Sequence, residues 1–143
     1  MKTELPDTIH DSITCHCAAG DDLAHRRQFD VAIVEYEKAW ALLPEPKQTW
    51  EAATWILAGI GDAHFLSARF VRAEEVFAQA ILNAPGGLGN PFLHLRRGEA
   101  LFETGDIRAA ADDLMRAYMG AGVDIFRGED PKYLKYLKTV AII

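Results

Sequence analysis

The feature of this 143-residue chain that most constrains its fold is a pattern that occurs three times. Gly20, Gly61 and Gly98 set its register. Twelve residues after each lies an alanine: Ala32, Ala73 and Ala110. Four further on is a large apolar residue: Tyr36, Phe77 and Leu114. Three beyond that is a second alanine: Ala39, Ala80 and Ala117. A helix stop follows five residues later, at Pro44, Pro85 and Gly122. Small residues at these columns let two antiparallel helices approach closely, and the large residue fills the space between successive pairs. Proline ends the second helix because it lacks an N–H and clashes with the preceding turn. No stretch shows the strict alternation of a half-buried strand. The expected fold is all-α: three helix-turn-helix units, stacked one on the next.

These columns resemble the tetratricopeptide repeat, whose period is about 34 residues. The units fall at 13–46, 54–87 and 91–124, with copies 41 and 37 residues apart and short insertions between them. The tryptophan usual near each start is replaced by His16, Leu57 and His94, and Arg97 stands before the third glycine. The resemblance implies a right-handed α-solenoid forming one domain over residues 1–143. A stack of repeats leaves its last apolar face open and needs a cap. A helix at about 131–139, with Tyr133, Leu134 and Leu137 as its apolar stripe, is expected to supply it. Asn90-Pro91 and Asp130-Pro131 suit helix starts. Thr49 is expected to cap a second-unit helix that begins early, with Glu51 in its first turn favouring the dipole.

Composition narrows the function classes. Fifteen Lys and Arg stand against 21 Asp and Glu, a net charge of −6. A nucleic-acid binder usually carries the opposite excess. The longest apolar run, Ala52 to Gly61, is too short to cross a bilayer. The first residues, Met1-Lys2-Thr3-Glu4-Leu5-Pro6-Asp7, hold acids and a proline where a signal peptide needs an apolar segment. A cytoplasmic protein, a monomer when free and without membrane or nucleic-acid partners, is the expectation. Residues 131–143 carry three lysines and no acid, read here as dipole complement and solubility rather than as a second binding site.

In this family the first helix of each unit lines a concave groove. Carried over by column, the groove is expected to present Thr14, Cys17, Asp21, Ala24 and His25 from the first unit, and Trp55, Ala58, Asp62, Phe65 and Leu66 from the second. The third is expected to add Phe92, Leu95, Glu99, Phe102 and Glu103, with Arg96 and Arg97 on the same helix. One column is acidic throughout: Asp21, Asp62 and Glu99. A row of carboxylates among Trp55, Phe65, Phe92 and Phe102 suits a basic, partly apolar partner: charge steers the encounter and buried rings hold it. The competing reading makes the rings core residues, Phe65 and Phe102 foremost, and the acids a solvated face. Arg96 is expected to pair with Glu99 at i+3, a surface contact of about 0.2–0.5 kcal/mol. Trp50 is expected to pack on the Pro44–Pro46 loop.

Other constellations are discounted. Cys15-His16-Cys17, near His10 and His25, places its thiols at i and i+2, on nearly opposite sides of a helix, which suits no structural zinc site. Gly86-Gly87-Leu88-Gly89-Asn90 lacks the lysine and preceding strand of a phosphate loop. Asp62 and His64, also at i and i+2, make a poor hydrogen-bonded pair. No nucleophile–His–acid set is assignable. No catalytic residue, metal or cofactor is therefore expected.

Several stretches look like a group of small bacterial tetratricopeptide proteins of toxin–immunity systems. They are Leu43-Pro44-Glu45-Pro46, Trp50 to Leu57, Gly89-Asn90-Pro91-Phe92, Arg116 to Gly122 and Glu129 to Tyr133. The resemblance implies an immunity protein, or antitoxin, that binds and blocks a toxin domain, expected to be basic and encoded nearby. Two alternatives stand beside it: an adaptor, chaperone or scaffold subunit that binds a peptide, and a self-associating protein with its aromatics buried in a homodimer.

Overall fold

The computed structural model describes residues 4–143. The reading of a missing leader begins at Met1 and lies partly outside these residues. Seven α-helices and two short 3₁₀ turns make up the described fold, with no strand among the described residues. The helices are α1 (Asp7–His25), α2 (Phe29–Leu42), α3 (Glu51–Leu66), α4 (Phe70–Asn83), α5 (Pro91–Thr104), α6 (Ile107–Ala121) and α7 (Pro131–Val140). The fold is all-α, as expected. Each helix packs on its neighbour in sequence, and α3 also meets α1 and α5.

The repeating columns make the helix pairs. Ala32, Ala39, Ala73, Ala80, Ala110 and Ala117 are all fully buried. A Cβ on Gly20 would lie 2.7 Å from the Tyr36 ring, one on Gly61 2.8 Å from Phe77, and one on Gly98 2.9 Å from Leu114. The glycine of each first helix is thus the seat of the large residue of its own second helix. Any side chain there would push the pair apart. The turn inside each pair passes through the left-handed region at matching positions: Arg27 (φ 62°), Ala68 (φ 63°) and Gly105 (φ 93°).

Helix ends follow local chemistry. Asn90 accepts from the N–H groups of Phe92 and Leu93 at 3.0 and 3.3 Å, ahead of Pro91. Asp130 accepts from Lys132 N at 3.0 Å, ahead of Pro131. These starts were expected. The cap of α3 differs. Thr49 lies in a 3₁₀ turn, Lys47–Thr49, and its hydroxyl donates to the Pro46 carbonyl at 2.7 Å. Trp50 takes the cap position, and its indole N–H donates to Pro44 O at 2.9 Å, which ties it to the loop as expected. Lys47 Nζ donates to the carbonyls of Trp40, Ala41 and Leu43, which ends α2 with a positive charge on its dipole. The first helix starts at Asp7, six residues ahead of the unit boundary at 13.

The last helix closes the core. Tyr133 and Leu137 are buried with Leu95, Leu114 and Phe126, and Leu134 packs against them half-buried. The apolar face left by α5 and α6 is thereby covered. No helix among the described residues is long and apolar enough to cross a membrane.

Candidate functional site

A cavity of about 380 Å³ opens between α1 and α3. It gathers five of the ten candidate residues: Asp21, His25, Trp55, Asp62 and Phe92. Among the described residues that line it, none is Lys or Arg. Trp55 keeps half of its surface exposed, and Phe92 just over a third. Trp55 meets His10 edge-on, with centroids 6.4 Å apart, and on that side borders a second cavity reaching Glu4, Asp7 and Trp50. Two features here escape sequence reasoning. Tyr36, counted as core, donates its hydroxyl to Asp21 Oδ1 at 2.5 Å and so forms part of the floor. Burial and that bond to Asp21 push the Tyr36 phenol far above its ordinary range, so it stays a donor. Gly59 contributes backbone to the wall. Its signal in the sequence was its place two residues ahead of Gly61.

The expected row of free carboxylates needs correction beyond Asp21. Arg96 gathers the acids around itself. Its Nε donates to Asp62 Oδ1 at 2.6 Å and its Nη1 to Glu99 Oε1 at 2.9 Å, and it also bonds Glu129. The guanidinium lies 4.9 Å from the centre of the Phe65 ring and 5.3 Å from that of Phe92. Glu99 is fully buried, and so is not a groove carboxylate open to a partner. The Arg96–Glu99 pair is an interior contact, not the small surface one expected. Glu129 was not foreseen, because it comes from the loop ahead of α7.

The carboxyl of Glu99 is shifted toward its protonated form. Burial is the largest cause, and Glu129 beside it adds to the effect, against the pull of Arg96. A neutral Glu99 also accounts for its Oε2, which otherwise has no donor. A protonated carboxyl donates, and the Glu129 carboxylate accepts. Asp62 is likewise shifted upward by burial, against the opposing charge of Arg96.

The third-unit end of the expected groove is covered by the chain's own C-terminal segment. Phe102 packs between Tyr133 and Tyr136, both with centroids 5.5 Å away. Glu103 accepts from the Tyr133 hydroxyl at 2.7 Å and pairs with Lys132. Phe65 is half-buried against two core clusters. Phe65, Phe102, Glu103, Glu99 and Arg96 therefore belong to the interior and its cap rather than to an open surface. The cause is the cap itself: α7 docks on the same helix faces that a partner would need. The open groove is confined to the first two pairs and Phe92.

Among the described residues, no three His, Cys, Asp or Glu side chains gather as a metal site. Cys17 is half-buried, and burial pushes its thiol up to about 11, away from the reactive thiolate. His16 and His94 each bond an acid across their own helix pair: Glu35 at 2.9 Å and Asp113 at 2.8 Å. These pairs stitch helices together and lie outside the groove.

Comparison of the chain with family models and with curated proteins finds no match.

Proposed function

We propose that the three helix pairs are tetratricopeptide-type units in a right-handed solenoid, and that the chain is a non-catalytic module that binds a basic protein. The observation that carries this is Trp55: a half-exposed indole lining a cavity together with Asp21 and Asp62, with no Lys or Arg among the described residues that line it. A large ring held open to solvent in a concave site is the residue type on which binding energy concentrates. The surrounding charge selects a cationic surface and speeds its arrival. The stretches Leu43 to Pro46, Trp50 to Leu57, Gly89 to Phe92, Arg116 to Gly122 and Glu129 to Tyr133, which look like those of small bacterial immunity proteins, support an antidote as the form this binding takes. Such a protein needs no catalytic group; it need only cover or immobilise the toxin's working surface.

The test is coexpression with the product of the neighbouring gene. Growth rescue and a one-to-one complex on copurification support an antidote. Capture of basic peptides in the micromolar range, without rescue, moves the function to an adaptor. A stable homodimer with a quenched Trp55 overturns the reading.

A further inference from the structure

The helix pairs share a register, and that register relates the open cavity to the Arg96 cluster. Two residues ahead of Gly98 stands Arg96. It is held by Asp62, the acid following the glycine of the preceding pair, and by Glu99, the acid following its own. Phe92, six residues ahead of Gly98, stacks on it. One unit earlier the same offsets give Asp21 for Asp62, Asp62 for Glu99 and Trp55 for Phe92. The counterpart of Arg96 is Gly59. Asp21, Asp62, Trp55 and Gly59 all line the 380 Å³ cavity. The second unit therefore repeats the cradle of two acids and a ring without supplying a cation of its own; Asp62 accepts from Arg96 of the third unit through Oδ1, and its other oxygen is the one left for the cradle. Tyr36 keeps it so: a Cβ on Gly59 would lie 2.7 Å from its ring. Ala24 takes the place of Phe65, which leaves one side of the cradle open.

We propose that this cradle receives an arginine side chain of the protein partner, its guanidinium between Asp21 and Asp62 and against the Trp55 ring. The inference rests on the groove being the partner-binding surface and names what that surface grips. Arginine fits better than lysine because a planar guanidinium can both stack on an aromatic ring and bridge two acidic side chains, as Arg96 next door lies against Phe65 and Phe92 while bonding Asp62, Glu99 and Glu129. Asp21 uses Oδ1 for the Tyr36 hydroxyl and, as a carboxylate, has further acceptor sites for a second donor.

The probe is acetyl-arginine N-methylamide, titrated into the full chain while the Trp55 indole and Gly59 amide signals are followed by NMR. The neutral isostere, acetyl-citrulline N-methylamide, and the lysine analogue run in parallel. Arginine is expected to shift these signals saturably and citrulline to leave them. Asp21→Asn, which keeps an acceptor for Tyr36, and Trp55→Ala, followed at Gly59, are each expected to weaken arginine binding about threefold to tenfold, as loss of one charged or stacked contact does. An equal response to citrulline, or unchanged titration in both variants, overturns the cradle. An equal response to the lysine analogue overturns its preference for guanidinium. Copurification of a basic partner with no arginine response overturns the cradle alone and leaves the binding function standing.

Discussion

His94 and Asp113 are joined by a 2.8 Å hydrogen bond inside the third helix pair, and both are almost fully buried. The other ring nitrogen, Nε2, lies 2.7 Å from Leu88 O. His16 and Glu35, at the same two positions of the first pair, make the same bond at 2.9 Å. The second pair has Leu57 and Val76 there, both buried in one apolar cluster. One contact column thus takes either a hydrogen-bonded His–acid pair or two aliphatic side chains.

The first prediction uses that equivalence. His94→Leu alone leaves Asp113 buried with only Arg97, 3.7 Å away, as a partner. Asp113→Val alone leaves a buried imidazole without its carboxylate. Each is expected to cost about 2 kcal/mol or more, whereas the double variant should fall within about 1 kcal/mol of the parent, because nothing charged is left unpaired. Urea denaturation of the four proteins measures this. A double variant as unstable as the two singles together would show that the apolar solution does not transfer between units.

Glu99 sets a pH dependence. Its folded-state pKa is raised, so the folded protein keeps a proton that the unfolded chain releases. The associated stability is fully present below the ordinary glutamate range and is lost as pH rises through neutral toward the raised value. Glu99→Gln can offer Arg96 an acceptor and Glu129 a donor with no proton to lose. The parent should therefore lose more stability than Glu99→Gln between about pH 5 and about pH 9. Parallel slopes in denaturation midpoint against pH would mean that Glu99 is ionised in the folded state.

Ala68 occupies the left-handed turn position at φ 63°, where the third pair has Gly105. Ala68→Gly relieves the Cβ clash of that conformation and is expected to stabilise the fold by about 0.5–1 kcal/mol, after allowing for the greater chain entropy of glycine. The urea midpoint should rise with an unchanged slope. A lower midpoint would locate the strain elsewhere.

Trp55→Ala separates binding from folding. With half of its side chain in solvent, its removal should leave helicity and melting nearly unchanged. Affinity for the partner should fall by at least about 2 kcal/mol, the signature of a central aromatic contact. Circular dichroism and titration calorimetry on one preparation report both quantities. Loss of helicity would make Trp55 a core residue instead.

Charge steering is best tested at Asp21. Asp62 binds Arg96, so reversing it disturbs the interior, whereas Asp21 is exposed and, among the described residues, accepts from the Tyr36 hydroxyl. Asp21→Lys should slow association at low salt and flatten its salt dependence. Stopped-flow rates that do not change would remove steering from the role of this carboxylate.

The periodicity of glycine, alanine and large residues was enough to predict the helix pairs and their second-helix stops, and the apolar stripe of Tyr133, Leu134 and Leu137 predicted the closing helix. Those features depend on local backbone chemistry and on contacts between residues at constant separation, which one dimension records. Asp21 and Asp62 were legible as equivalents, each directly after the glycine of its unit, and the resemblance to the repeat family implied that they share a groove with Trp55. The fate of Glu99, Arg96, Phe102 and Glu103 was not. It depends on Glu129, Lys132, Tyr133 and Tyr136, which reach them across about thirty residues of chain, at distances no local pattern encodes. Nor does spacing distinguish a carboxylate facing water from one that folding has enclosed: only the packing of the last helix settles which acids remain available to a partner and which become part of the interior.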